Sequence, residues 1–322
     1  MSTSNRIKKV AIVGAGGNCG SYITEALLKT GKHTVTAITR EDSTSKLPDG
    51  VNVIKIDYNN PASIVKALTS QDALVITMNA RAVDTQPKLI QAAADAGVPW
   101  VLPNEWGVDT TNEGLLKDVP VFQEMPKIRK LIAKTGTSSY IAITTGFWFE
   151  WSLSIPAAFG FDFANRSIVL FDEGETKIAT STWPQVGRTV AALLSLPIKP
   201  EGDDKNYCLE HFKDGHMYVN SFTVSQKDML ASVLRVTRTK ESDWKVTKEA
   251  TPDRFQAGIA AMQKGDRMGF AQMMYTRVFY TDGSGDFEKT KGTVNELLGL
   301  PKEDIDEATK AAEERSKNFK WS

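Results

Sequence analysis

Seven residues near the amino terminus constrain this chain more than any others: Gly14-Ala15-Gly16-Gly17-Asn18-Cys19-Gly20. They follow a short apolar run, residues 8–13 (KKVAIV), and precede a stretch in which Ile23, Leu27 and Leu28 recur at helical spacing before Gly31. Apolar run, glycine cluster and 3.6-residue periodicity together predict strand, tight turn and helix. Glycine is needed in such a turn so that the chain can reverse sharply, so that a pyrophosphate can approach the backbone with no Cβ in its way, and so that helix and strand can pack closely. The open N–H groups and the positive end of the helix dipole then face the phosphates. The spacings Gly14 to Gly17 and Gly17 to Gly20 fit a dinucleotide turn, against the plainer reading of a structural turn. No Lys-Ser or Lys-Thr pair closes the loop, which disfavours a nucleotide-hydrolysing P-loop.

The alternation continues downstream. Strands are expected at residues 33–39, 51–56, 73–77, 98–102 and 140–144, with helices at 61–68, 87–96 and 127–134. This order predicts an α/β, Rossmann-type, doubly wound parallel sheet with helices on both faces. After about residue 150 the alternation degrades into helical stretches near 185–195, 226–236, 252–263 and 301–316, with exposed loops expected at 199–206 and 281–292. The expected division is a dinucleotide-binding domain over residues 1–150 and a smaller α+β substrate-binding region over 151–322, with interleaving of the two left open.

With 39 basic and 39 acidic residues the formal charge is zero, which argues against a general nucleic-acid binder. Two cysteines cannot build a disulfide framework, and with three scattered histidines they offer no structural zinc site, so no metal is expected. The amino terminus lacks a secretory apolar core, and the apolar segment 140–163 is broken by Glu150 and Pro156. A cytoplasmic protein without membrane partners is the expectation, as a monomer or homodimer acting on a small molecule.

About twenty residues past Gly20, where an NAD-binding turn places an acidic side chain, stand Thr39 and Arg40. A guanidinium there suits a 2′-phosphate, and Lys46 adds a second positive charge, so NADP is favoured over NAD. Glu41 is the competing ribose acceptor, and Asp57 falls where a side chain would flank the adenine or simply form a turn. The usual Tyr-x-x-x-Lys catalytic pair is absent, because none of the seven tyrosines has a lysine four residues later. Neither Gly-x-Ser-x-Gly nor His-Glu-x-x-His occurs. His211 and His216 flank an expected turn at 213–215.

The glycine loop GAGGNCG, the second-strand end TRED and the run QPKLIQAAADAGVPWVLPNEWG over residues 86–107 resemble the atypical short-chain reductases that include isoflavone-reductase-like and NmrA-like proteins. The second half, from TGFWFEWSLSIPAAFGFD to STWPQVGRTVAALLSLP, is similar to a fungal branch of that family. The resemblance implies that Gly14, Gly17, Asn18, Cys19 and Gly20 contact the pyrophosphate and that Arg40 and Lys46 take the 2′-phosphate. It further implies that Met78, Asn79, Asn104, Glu105 and Trp106 approach the nicotinamide side, and that residues 145–149 line the junction of cofactor and substrate.

One departure from the family pattern stands out. Aligning FQEMPKIRK, residues 122–130, with the helix that carries the family's lysine puts Met125 in its place. Lys127 is two positions away and points about 200° round a helix, so it cannot simply replace the lysine. Lys127 and Glu105 are carried as catalytic candidates. Phe147, Trp148, Phe149 and Trp183, with Trp106 and Met125, form either core or an apolar pocket wall. Three functions are expected to compete. The first is an NADPH-dependent reductase of a small, apolar or aromatic compound of the secondary-metabolite type. The second is a non-catalytic NADP(H)-binding redox sensor with a protein partner, and the third is an isomerase or cyclase with no net redox change.

Overall fold

In the computed structural model, which describes residues 4–79, 82, 84–201 and 207–318, the first half builds β1 (Lys9–Val13), α1 (Asn18–Lys29), β2 (Thr34–Arg40), β3 (Asn52–Ile56), α2 (Pro61–Leu68), β4 (Ala73–Ile76), α3 (Thr85–Asp95), β5 (Trp100–Leu102), α4 (Glu113–Asp118), α5 (Glu124–Lys134) and β6 (Ser139–Thr144). There follow β7 (Phe147–Trp148), α6 (Phe149–Leu153), α7 (Pro156–Phe159), β8 (Phe161–Asp162), β9 (Ser167–Phe171), β10 (Ile178–Ser181), α8 (Trp183–Leu194), β11 (Gly215–Tyr218), β12 (Phe222–Val224), α9 (Gln226–Thr237), β13 (Lys245–Glu249), α10 (Thr251–Gln263), α11 (Arg267–Arg277), α12 (Phe287–Lys291) and α13 (Ile305–Asn318).

The main sheet has the order β11-β6-β5-β4-β1-β2-β3, and every pairing in it is parallel. A strand buried on both faces must be apolar throughout rather than alternating, and β4, Ala-Leu-Val-Ile, is buried at all four positions. The chain winds outward from β1 through β2 and β3, then returns to lay β4, β5 and β6 on the other side. The order therefore reverses between β1 and β4, and the crevice beyond their carboxyl ends is where open α/β sheets bind ligands. On one face α1 packs against α8 so closely that a Cβ at Gly187 would lie 2.4 Å from the Tyr22 carbonyl oxygen. On the opposite face α3 packs between α2 and α5.

The seventh strand, β11, comes from residues 215–218, so the later part of the chain completes the first sheet. The remaining elements enclose a second core around Phe149, Phe159, Phe161, Phe171 and Phe279, flanked by the small sheets β12-β10-β7 and β13-β9-β8.

Several sequence expectations shift. The segment 281–292, expected as an exposed loop, contains α12, because Phe287 is buried and Gly285 lies against Val278 with no room for a Cβ. Helix α11 and the short strands of the second half carried no clear periodicity. His216 lies on β11, and only residues 213 and 214 form the expected turn. Helix α5 begins at Glu124 rather than near Lys127, with Pro126 in its first turn, where the missing N–H costs nothing. Helix α13 begins at Ile305 rather than Pro301, because Pro301 and Glu303 act as a strap. The Pro301 carbonyl accepts from Gln185 and the Glu303 carboxylate accepts from Thr182, Ser221 and Arg188. Of the expected loop 199–206, residues 202–206 lie outside the described residues.

Gln226 shows how the second core is locked. Its buried amide accepts from the Phe171 N–H at 2.6 Å and donates to the carbonyls of Phe159 and Val169, both at 2.9 Å. Leaving these backbone groups buried and unpaired carries the full desolvation cost, so Gln226→Ala should destabilise the protein by about 3 kcal/mol, read as a lower urea midpoint at unchanged slope.

Candidate functional site

The glycine turn is built by backbone-to-backbone approach. Gly14 has φ +83°, and a Cβ there would lie 2.1 Å from the Thr77 carbonyl oxygen at the end of β4. At Gly20 a Cβ would lie 2.1 Å from the Gly14 carbonyl oxygen, and at Gly16 it would lie 2.8 Å from the Lys46 carbonyl oxygen. Gly17 closes the turn by donating its N–H to Gly14 at 2.9 Å. No side chain caps α1, so its first-turn N–H groups, those of Asn18 and Cys19, are available to an anion. Cys19 itself is buried, and desolvation pushes its thiol far up, so its side chain is packing and only its backbone faces the turn.

Arg40 ends β2 and is exposed, with its Nε 3.5 Å from Asp42. The loop that follows brings Ser45 and Lys46 back over Gly16. The backbone of the loop carrying Lys46 thus covers the glycine turn, and Arg40 stands at the end of β2, the strand paired with β1. Asp57 is exposed and accepts from the Asn59 N–H at 2.8 Å, which is a local turn. The Glu41 carbonyl is held by Lys55.

At the carboxyl ends of β4 and β5, Asn104 forms a reciprocal pair with the Met78 backbone. Its Oδ1 accepts from the Met78 N–H and its Nδ2 donates to the Met78 carbonyl, both at 3.0 Å. The Gln86 side chain accepts from the Asn104 N–H at 2.7 Å, tying α3 to the same point. Asn79 follows Met78 in this loop. Trp106 is buried, with its indole N–H donating to the Ile76 carbonyl at 2.8 Å. The Gly107 carbonyl accepts from both Thr145 and Gly146, joining the loop after β5 to the loop after β6.

Both sequence-named catalytic candidates are engaged in ion pairs, one at the surface and one buried. Lys127 is exposed and pairs with Glu124 at 2.6 Å. Glu105 is 4 % exposed, its Oε1 accepting from Arg129 and Thr110. Burial pushes the Glu105 carboxyl up while Arg129 opposes the shift. Met125 is half-buried in the first turn of α5, and Arg129 lies one turn further along the same face.

The aromatic residues divide. Phe149 is fully buried against Phe222, and Trp183 is buried between Tyr22, Trp148 and Trp151. Phe147 and Trp148 are half-buried, Phe147 against Tyr275 and Trp148 against Trp183. Glu150, among them, accepts from the Trp183 N–H at 3.1 Å, and burial raises its carboxyl from 4.5 to about 7.

Sequence reading missed Arg129, Gln86, Asp109 and Tyr218. Arg129 was accessible through its four-residue spacing from Met125. Asp109 and Tyr218 meet only through the fold, 109 residues apart in sequence. Among the described residues no group of three His, Cys, Asp or Glu side chains is placed to hold a metal, and no helix is long and apolar enough to cross a membrane.

A parallel sheet with a glycine turn at its switch point defines a Rossmann-type fold. Comparison with known proteins agrees and is more specific. Residues 6–155 match the NmrA-like family. The chain is 29 % identical over 303 residues to the oxidoreductase aprR of Aspergillus flavus, covering 93 % of this chain and 96 % of that one. It is 26 % identical to quinone oxidoreductase 2 of Escherichia coli, over 91 % and 94 %. A crystal structure of isoflavone reductase superposes with a TM-score of 0.69 at 20 % identity, over 95 % of this chain and 99 % of that one, and AtPrR2 with NADP+ and (+)pinoresinol gives 0.73 at 16 %, over 95 % and 98 %. The chain is thus similar to NmrA-like proteins over residues 6–155 and shares the fold of isoflavone reductase over nearly its whole length.

The Glu150 site yields a pH prediction. A carboxyl whose pKa rises from 4.5 to about 7 on folding contributes fully below 4.5, and that contribution is lost as pH rises to about 7. The loss is at most about 3 kcal/mol. Glu150→Gln should therefore melt higher than the wild type at pH 8, and the wild type's decline in stability between these pH values should flatten in the variant.

Proposed function

We propose that the protein is an NADPH-dependent reductase acting on a small, largely apolar or aromatic carbonyl compound. The observation that carries this reading is the glycine cradle with the loop bearing Arg40 and Lys46 folded over it. A Cβ at Gly14, Gly16 or Gly20 would collide with backbone, so the tight turn of the kind that lets a pyrophosphate approach the main chain depends on glycine at these positions, which supports the reading. Arg40 and Lys46 would hold the 2′-phosphate, and the N–H groups at the start of α1 the pyrophosphate. The Met78–Asn104 pair and the Gly107–Gly146 tie fix the loops beside which the nicotinamide end would lie. When bound, the cofactor supplies a hydride, and the protein supplies orientation and exclusion of water. The half-buried Phe147 and Trp148 offer apolar surface beside those loops. Relatives that span nearly the whole chain carry the name oxidoreductase, which supports the same reaction class.

The methionine at 125 favours a second reading, in which the dinucleotide is bound and sensed but not consumed. Stoichiometric NADPH oxidation with an aromatic aldehyde or quinone separates the two, since a sensor would bind the nucleotide and leave its absorbance constant. Constant NADPH absorbance with a converted substrate would instead mark an isomerase.

Calorimetric titration with NADPH and NADH tests the cofactor assignment. NADPH should bind more tightly, and Arg40→Ala should weaken NADPH tenfold to a hundredfold, the range for a hydrogen bond to a charged group, while leaving NADH nearly unchanged. Equal binding of the two nucleotides by the wild type would remove the 2′-phosphate assignment.

A further inference from the structure

The main sheet ends in two edges, and they are treated differently. Beyond β11 the Val294 N–H donates to the Tyr218 carbonyl at 2.9 Å and α12 packs alongside, so the later chain covers that side. The edge strand β13 of a small sheet is guarded by charge, with Lys245, Lys248 and Glu249 exposed, a pattern that keeps an edge strand from pairing. The other end of the main sheet, β3, has neither protection. It pairs with β2 on one side, and among the described residues no segment hydrogen-bonds to its outer side. Its sequence, Asn-Val-Ile-Lys-Ile, holds no proline and a single charge. That charge is no guard, because the Lys55 ammonium donates to the Glu41 carbonyl of the same chain at 3.1 Å, inward over β2. Val53 is 49 % exposed and Ile54 36 %, and as neighbours in a strand they stand on opposite faces of the sheet.

An open strand edge with apolar side chains on both faces is a template for one more strand. Three features select β3 of a second copy. With 39 acidic and 39 basic residues, the chain carries no net charge to hold copies apart. Antiparallel pairing of β3 with itself closes about a twofold axis and stops at two copies, whereas parallel pairing of identical strands has no such closure. The register, finally, is set by the strand. Opposed side chains must share a face, so the axis passes beside a single residue. Centred on Ile54, all five residues find partners: Asn52 opposite Ile56, Val53 opposite Lys55 and Ile54 opposite its own copy. Centred on Lys55, two ammonium groups would oppose each other, and any other centre leaves part of the strand unmatched. Ile54 also shares its face with Ile56, which is buried in the cluster that holds Ile38 and Ile64, so the Ile54 pair would carry that core across the seam. On the other face the aliphatic stem of Lys55 would lie along Val53 of the second copy.

We propose that the protein forms a homodimer by antiparallel pairing of β3 with β3 of a second copy, about a twofold axis beside Ile54, which joins the two main sheets into one. Because Lys55 in the seam holds the Glu41 carbonyl, the interface abuts the loop that leads from Arg40 to Lys46.

Sedimentation equilibrium of the full chain at tens of micromolar tests the association, and engineered cysteines test the register. The wild type should sediment with the mass of two chains. Ile54→Lys, which sets two ammonium groups at the axis, should weaken association at least tenfold while keeping the far-ultraviolet circular dichroism of the wild type. Facing residues of antiparallel strands have Cα atoms about 4.5–5.5 Å apart, within reach of a disulfide. Ile54→Cys should therefore give a linked dimer on mild oxidation. Val53→Cys, displaced from its own copy along a diagonal of about 7–8 Å, should not. The native Cys19 and Cys208 are buried, so the wild type should give no linked dimer under the same oxidation. A wild type that remains monomeric overturns the proposal. So does a dimer that Ile54→Lys leaves intact or that Ile54→Cys fails to link, either of which would put the contact on another face.

Discussion

The close approach between the turn after β1 and the end of β4 is the constraint on which the molecule is arranged. Three backbone segments, at Gly14, Gly20 and Thr77, come within distances that leave no volume for a Cβ. The Thr77 N–H and hydroxyl both donate to the Val13 carbonyl, at 2.9 Å each, so β4 is pinned to β1 at the point where the sheet order reverses. Because α1 starts immediately beyond this point, its uncapped amino terminus is aimed at the crevice. The order of the strands, the need for glycine and the placement of an anion-binding helix end are consequences of one packing contact.

From that point outward the site is held by polar pairs rather than by apolar packing alone. Asn104 and Gln86 tie α3 and the loop after β5 to Met78, and Gly107 ties that loop to Thr145 and Gly146. Beneath them lies the buried Glu105–Arg129 pair. Its net contribution to stability is small, because desolvation offsets most of the attraction. Its consequence is geometric: the carboxylate and guanidinium fix the loop after β5 against α5, and the arginine finds a second acceptor in Thr110. On the other face Glu150 performs a similar joining role between α6 and the start of α8, in a setting of indole rings that raises the cost of its charge.

The legible part of the sequence was the part governed by local rules. Parallel strands buried on both faces read as apolar runs, and glycines forced by contact recur at fixed spacing, so β1 through β6 and the cradle could be read directly. The second half obeys other rules. Strands of two to four residues carry no measurable period, and α12 exists because Phe287 finds a hydrophobic site that only the folded chain provides. Glu105 illustrates the same limit at a single residue. Its place after β5 marked it as a site residue, yet its partner Arg129 is what turns the side chain inward, and that pairing spans 24 residues.

The methionine at 125 gains its meaning from that pairing. Had a lysine stood there, two cations on one face of α5, one turn apart, would have bracketed the end of β6, and like charges at four-residue spacing repel. With an uncharged thioether in its place, Arg129 is the sole cation on that face of the first two turns of α5, since Lys127 and Lys130 are exposed. The positive potential near the end of β6 then comes from below, through a guanidinium that cannot give up its proton. The interleaving that brings residues 215–218 into the first sheet has a polar as well as an architectural result: the Tyr218 phenol donates to Asp109 Oδ1 and stands 3.2 Å from the Thr111 hydroxyl, tying the edge strand to the loop before α4.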